Sequence, residues 1–328
     1  MSKINQREVA EILGLSQATV SRALSGKQVS PETRRKVAAT CSRLGYVPNR
    51  NAQNLALARS NNIGFAVETF GVLANDVIHR LLINICERAK QDDYSVSIIL
   101  LNSIPRQSRT GFIDGVIAFA SSKQYEMFLN YEEDLGCPIV LVDCDQEAPF
   151  PRVIFDDCEG GYMATEYLIG LGHTRICYIG TRESGPGEQR WLGYKKAMQA
   201  ANLPLIGPVE LAGWPNIDTE LAPYEEQIFA FRPLPTAFIA ASDQIAVALI
   251  KMLREHGFVV PDQVSVIGFN DSPLMGCYEP PLTTIRIPAE HLGKIVWDTL
   301  QAQFNGKRVP RCTKIRPHLI ERKSCLRL

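Results

Sequence analysis

Three helix starts and the stops that follow them crowd into the first 45 residues, and no other feature of the sequence restricts its fold as tightly. Asn5-Gln6-Arg7-Glu8 has capping-box spacing, in which the Asn side chain accepts from first-turn amides and the Glu reaches back to the cap. Apolar Val9, Ile12 and Leu13 follow at helical period until Gly14, which tolerates the left-handed conformation that ends a helix. Ser16 caps a second helix with Val20, Ala23 and Leu24 on its buried face and Gly26 at its end. Ser30-Pro31-Glu32-Thr33 opens a third, in which Val37, Cys41 and Leu44 run on to Gly45. Only Gly14 and Leu15 separate the first two helices, the arrangement of a helix-turn-helix whose second helix enters the DNA major groove.

The same caps would suit any small trihelical bundle, so charge has to decide. The whole chain is balanced, with 35 Lys and Arg against 35 Asp and Glu. Up to residue 60 the bases are Lys3, Arg7, Arg22, Lys27, Arg34, Arg35, Lys36, Arg43, Arg50 and Arg59, and the acids only Glu8, Glu11 and Glu32. A basic head on an acidic body is the footprint of a phosphate-binding module joined to something else. On the second helix, core contacts leave Gln17, Ala18, Ser21, Arg22 and Ser25 to face the groove. Gln17 suits adenine, Arg22 guanine, and the Ala18 methyl thymine. Ser16, Thr19, Thr33, Tyr46 and Asn49 are placed for phosphates, which fix register without reading sequence. After Pro48, residues 49–61 form a linker with helical propensity, too short to be stable alone and suited to ordering on DNA or a partner chain. Leu55 in it is either an apolar wedge for the minor groove or a lid on the head's own core.

From residue 62 apolar β-rich runs alternate with longer helical patterns, the signature of parallel sheets covered on both faces. The strands expected are 63–67, 96–101, 115–119, 139–142, 176–179, 209–211, 237–240 and 264–268. Ligands of such sheets sit beyond the carboxyl ends of strands. Those ends carry Glu68, Asp143, Ser242 with Asp243, and Asn270 with Asp271; Arg190 follows the Gly185-Pro186-Gly187 loop, and Trp214 follows residues 209–211. A carboxylate, a guanidinium, amides and an aromatic plane suit a polyol, whereas Asp243 and Asp271 serve equally well as helix-cap and turn residues.

Other classes are disfavoured. No stretch approaches the roughly 20 apolar residues of a membrane span, and the start of the chain lacks the apolar segment of an export signal, so the expected address is cytoplasmic. The nine cysteines show no metal-ligand spacing, and His79, His173, His256, His291 and His318 fall in no nucleophile or metal motif. With no P-loop and no dinucleotide fingerprint, no enzyme activity, metal or cofactor is expected.

Val9-Ala10-Glu11, Gly14-Leu15-Ser16, Ala18-Thr19-Val20-Ser21-Arg22-Ala23-Leu24 and Leu44-Gly45-Tyr46-Val47-Pro48-Asn49 closely resemble the head of the lactose and galactose repressor family of bacterial regulators. Gly170-Leu171-Gly172-His173-Thr174, Arg190-Trp191-Leu192-Gly193-Tyr194, Ala241-Ser242-Asp243-Gln244 and Phe269-Asn270-Asp271 resemble its effector domain. The resemblance implies a helix-turn-helix head over residues 1–48, a hinge over 49–61, and from 62 to 328 a two-lobed α/β effector and dimerisation domain like periplasmic binding proteins, with crossovers near 150 and 288. It also places Asp143, Arg190, Trp214, Ser242 and Asn270 at the effector, and Glu68 near it. Ser242 stands where the family commonly has asparagine, and Asn270 where it has aspartate. Residues 102–113 replace a longer family segment, so a crossover helix is expected to be missing.

The function expected is a homodimeric repressor of a pseudo-palindromic operator, released by a sugar. A corepressor-dependent regulator that binds a purine or a phosphorylated metabolite is the alternative. Acids around the crevice favour the uncharged ligand, because they repel anions. The C-terminal residues show no apolar heptad to join dimers, so a dimer and not a tetramer is expected.

Overall fold

A computed structural model of the chain describes residues 4–24, 29–46, 59–120, 125–129, 135–182, 185–212 and 221–328. In the head, α1 (Gln6–Leu13), α2 (Gln17–Leu24) and α3 (Pro31–Leu44) form where the caps place them. Asn5 Oδ1 accepts from the amides of Arg7 and Glu8 at 3.0 and 3.1 Å, and Glu8 Oε2 accepts from that of Asn5 at 2.9 Å. Ser16 Oγ and Ser30 Oγ accept from the amides of Thr19 and Thr33, both at 3.1 Å. Val9, Ala10, Val20, Ala23, Val37 and Cys41 make the head's core, with Leu13, Leu24 and Leu44 half-buried at its edge. Ile12 does not join them and is 53% exposed. Val9, Ala10 and Leu13 share one side of the helical wheel, and Ile12 falls off its edge. The stop expected at Gly26 and the linker over 49–58 lie outside the described residues.

The chain enters the body at Ser60, whose amide and hydroxyl donate to Asp114 Oδ1 at 2.6 and 2.9 Å, while the Asn61 amide donates to Asp114 Oδ2 at 2.8 Å. One carboxylate thus ties the end of the linker to the first lobe. That lobe is built on β1 (Asn62–Val67), β2 (Ser95–Leu100), β3 (Gly115–Phe119), β4 (Ile139–Val142) and β5 (Arg152–Phe155). Helix α4 (Asp76–Gln91) joins β1 to β2 and buries Leu81, Ile85 and Ala89 in a cluster with Ile63, Phe65 and Ile117.

The missing crossover helix is a correction: a short helix, α5 (Ile104–Arg109), survives after a single 3-10 turn. Ile104 and Ile113 anchor the segment against Ile99, Val116 and Phe128, which is enough apolar contact to cover that face with six helical residues. What remains exposed is Ile98 on the edge strand β2 and Phe112 in the turn between α5 and β3. Helix α6 (Tyr125–Leu129) completes this face.

From β5 the chain passes through α7 (Asp157–Gly170) to a second lobe of β6 (Ile176–Gly180), α8 (Pro186–Ala200), β7 (Ile206–Glu210), α9 (Glu225–Phe229), β8 (Ala237–Ala240), α10 (Asp243–Glu255), β9 (Ser265–Asn270) and β10 (Thr283–Arg286). It returns through α11 (Ala289–Phe304), which packs on α4, to add β11 (Cys312–Ile315) beside β5. It then crosses once more to β12 (His318–Ile320). The sheet orders are β11-β5-β4-β3-β1-β2 and β12-β10-β9-β8-β6-β7, parallel except for the β10–β12 pair. The third crossing was not anticipated, because β11 and β12 are short strands with half-exposed side chains and so lack a continuous apolar run.

Candidate functional site

On α2 the structure separates the residues taken by core packing from those left facing solvent. Val20 and Ala23 point into the head, while Gln17, Ala18 and Arg22 are exposed and Ser21 is half-exposed. Arg22 Nε donates to the Ala18 carbonyl at 3.3 Å, which lays the guanidinium along the helix surface. Of the residues assigned to phosphates, Ser16 and Thr33 also act in caps: Ser16 Oγ is 2.8 Å from Thr19 Oγ1, and Thr33 Oγ1 is 2.8 Å from Ser30 Oγ. Tyr46 is half-buried against the head's core, which pushes its phenol pKa up. Ser25, Asn49 and Leu55 lie outside the described residues.

The crevice between the lobes is organised around Arg190, from the first turns of α8. Two glycines bring α8 against α7: a Cβ on Gly161 would stand 2.1 Å from the Arg190 carbonyl oxygen, and one on Gly193 2.0 Å from that of Cys158. At that separation Arg190 Nε donates to Asp157 Oδ1 at 2.7 Å, and its Nη1 donates to the Ala241 carbonyl. The guanidinium also lies 3.7 Å over the Phe269 ring. Ala241 and Phe269 directly precede Ser242 and Asn270, so one buried arginine gathers the ends of β8 and β9 with the start of α7.

Asp143 follows β4 with φ 64° and lines a cavity of ≈ 210 Å³ together with Asp156, Asp157, Gln189, Arg152 and Lys314. Burial pushes the Asp143 carboxyl well above the usual carboxylate range, and the neighbouring Asp157 charge adds to the shift. Burial raises Asp157 as well, against the opposing pull of Arg190. Arg152 spends its guanidinium on the carbonyls of Asp145 and Gln146, at 2.6 and 2.7 Å, and Lys314 lies 3.8 Å from Asp156.

Ser242 is buried and accepts from the Ile245 amide at 3.3 Å, capping α10. Asp243 accepts from Thr284 Oγ1 at 2.6 Å and from the Ser272 amide at 2.7 Å, so its carboxylate is committed to holding loops. Asp271 is likewise bound by Arg286 and Arg322, each at 2.6 Å. The structural roles open to these two acids are the ones they fill. Asn270 is half-buried with φ 110°, and Glu68 is exposed at the end of β1. Trp214 lies outside the described residues.

Sequence reasoning missed Asp157, although Asp156-Asp157 follows a strand as the other acids do. The four residues of β5 were too short a run to be seen as one. It also missed Arg80, whose Nη2 reaches from α4 to the Asn270 carbonyl at 3.0 Å.

Residues 6–49 match the family described as bacterial regulatory proteins, lacI family, and residues 165–325 match a periplasmic binding protein-like domain. The chain is 32% identical over 339 residues to the HTH-type transcriptional regulator RegA of Clostridium saccharobutylicum, covering 98% of each. It is 29% identical over 334 residues to the HTH-type transcriptional repressor PurR of Vibrio campbellii, again covering 98% of each. The structure of the lac repressor dimer bound to operator and the anti-inducer ONPF is similar over 99% of this chain and 100% of that one, with TM-score 0.85 and 26% identity. Among the described residues no helix is long and apolar enough to cross a membrane, and no cluster of side chains is arranged to hold a metal ion.

Proposed function

The chain belongs to the lacI family of bacterial regulatory proteins, and on that premise we propose a homodimeric operator-binding repressor released by an uncharged polyhydroxylated ligand, a sugar or sugar derivative, bound between its lobes. It works without catalysis, in the cytoplasm where its DNA is. The head ends at residue 48, the hinge spans 49–61, and the lobes begin at 62. Gln17, Ala18, Ser21 and Arg22 read base edges, and Ser16, Thr19, Thr33 and Tyr46 hold phosphates.

The observation that carries the ligand class is the charge of the crevice wall. Asp143, Asp145, Asp156 and Asp157 line the cavity, against Arg152 and Lys314, and Arg190 behind them is bonded to Asp157. An anion entering there finds the nearby cations already committed, Arg152 to carbonyls, Lys314 near Asp156 and Arg190 to Asp157, whereas a hydroxyl can donate to carboxyl oxygens and accept from amides or from the Asp143 carboxyl that burial holds toward its neutral form. The purine or phosphorylated corepressor is the competing ligand. The two are separated by thermal-shift titration of the full chain with neutral mono- and disaccharides, nucleobases and sugar phosphates. Each hit is then added to the protein bound to a duplex selected from a random library. Stabilisation by a neutral sugar, with loss of the duplex, is the expected result. Stabilisation by nucleobases or phosphosugars alone overturns the reading.

A further inference from the structure

At the end of β9 two consecutive non-glycine residues have positive φ, Asn270 at 110° and Asp271 at 54°. Residues held in that region persist only where their surroundings over-determine them, and they concentrate at ligand and switch sites. Asp271 is braced from within its own lobe, by Arg286 on β10 and by Arg322 beyond β12. Asn270 is braced from the other lobe. Its carbonyl accepts from Arg80 Nη2 at 3.0 Å, across 190 positions of sequence. Arg80 is aimed by Asp76, one turn back on α4, whose Oδ2 accepts from Arg80 Nε at 3.0 Å. Its side chain is 18% exposed, and its third nitrogen lies 4.0 Å from Glu290 in the first turn of α11, the helix by which the chain returns between lobes. Among the described hydrogen bonds to this turn, Arg80 supplies the one that comes from the lobe to which the linker is tied at Asp114.

We propose that Arg80 is a positioning residue that couples the effector crevice to the DNA-facing lobe by holding the Asn270 carbonyl across the lobe boundary. The family resemblance places the Asn270 side chain at the effector, and for the identity of the signal this proposal rests on that placement and on the ligand class proposed above. A ligand shifts an equilibrium only by its different affinity for two arrangements. A charge-assisted bond from one lobe to the peptide that carries a ligand-binding amide supplies such a difference, because turning that peptide toward a ligand and keeping the bond to Arg80 are not independent. Arg286 and Arg322 hold the same turn yet move with it, so they fix its shape without reporting to the other lobe.

The test uses the full-length chain with spin labels carried on unnatural amino acids at the exposed positions Lys90 in the first lobe and Gln199 in the second, diluted with unlabelled protein. The unvaried chain should give one narrow distance. Arg80→Met, which keeps the aliphatic stem, should broaden or shift it and change affinity for the selected duplex about tenfold, within the usual range of coupling between sites. Arg80→Lys should restore part of both. Arg286→Met should lower the melting temperature and leave the lobe distance unchanged. Equal broadening in Arg80→Met and Arg286→Met, or an unchanged distance and affinity in folded Arg80→Met, overturns the proposal; should Arg80→Met not fold, Arg80→Lys decides by the same two readouts. If no sugar binds, the ligand assignment falls, while the ligand-free distance still decides whether Arg80 couples the lobes.

Discussion

Arg190 Nε and Asp157 Oδ1 meet at 2.7 Å with both side chains 5% exposed, a charge pair withdrawn almost wholly from water at the base of the crevice. Desolvating two ions costs much of what their attraction returns, so the pair contributes little net stability, while loss of one partner strands the other. Here the stranded ion would be a guanidinium that still has the Ala241 carbonyl and the Phe269 face, or a carboxylate already driven upward by burial.

Asp157→Ala is therefore expected to destabilise the second lobe by about 3–5 kcal/mol in urea unfolding. The double variant Asp157→Leu, Arg190→Met should recover most of that loss, because neither ion then remains unpaired. Its ligand response should nonetheless be gone in the thermal-shift assay, since the ends of β8 and β9 lose the arginine that gathers them. A double variant no more stable than Asp157→Ala would show that the pair itself, and not the stranded charge, sets the cost.

Burial pushes the Asp243 carboxyl up to about 6, against the opposing bonds from Thr284 and Ser272. A raised folded-state value means that the native protein keeps a proton which the unfolded chain releases near its ordinary value, about 4. Stability from this group is thus full below about pH 4 and is lost as pH rises through 6. Compared with Asp243→Asn, which does not titrate, the unvaried chain should lose about 2 kcal/mol of unfolding free energy between pH 4 and pH 7. A difference between the two proteins that stays flat across this window would place the folded-state value near the unfolded one.

The head was legible because its signals are local: Asn5, Ser16 and Ser30 each bond to an amide within three residues. Most sheet strands were legible because burial on both faces leaves a continuous apolar run, as in β1. Strands β5, β10, β11 and β12 were not, since each is three or four residues long and carries Arg152, Arg286, Lys314 or His318. Reading past strand ends placed Asp143, Ser242 and Asn270 at or just after the carboxyl ends of three strands, and they lie there in the structure, beyond β4 and β8 and at the last position of β9. It did not find that Arg190 is bonded to Asp157, because that meeting depends on how closely α7 and α8 approach at Gly161 and Gly193. Nor does periodicity show that Arg80 touches Asn270, a contact set by how the lobes sit together.

The head offers the sharpest separation of roles. Arg22 is exposed on the face of α2 opposite Val20 and Ala23, and makes no contribution to the head's core. Arg22→Ala should leave the melting temperature of the chain nearly unchanged while relaxing preference at one base pair of the selected duplex by about 1–3 kcal/mol, the worth of a bidentate pair. Thr33 differs because its amide is bonded to Ser30 Oγ and its hydroxyl lies 2.8 Å from that same oxygen. Thr33→Val preserves the side-chain shape and the amide bond but removes the hydroxyl, so it should weaken binding to cognate and random duplexes alike. Competition binding at fixed salt measures both, since phosphate contacts make affinity depend steeply on salt. Equal losses on cognate and random DNA for Arg22→Ala would move that arginine from the base edges to the backbone.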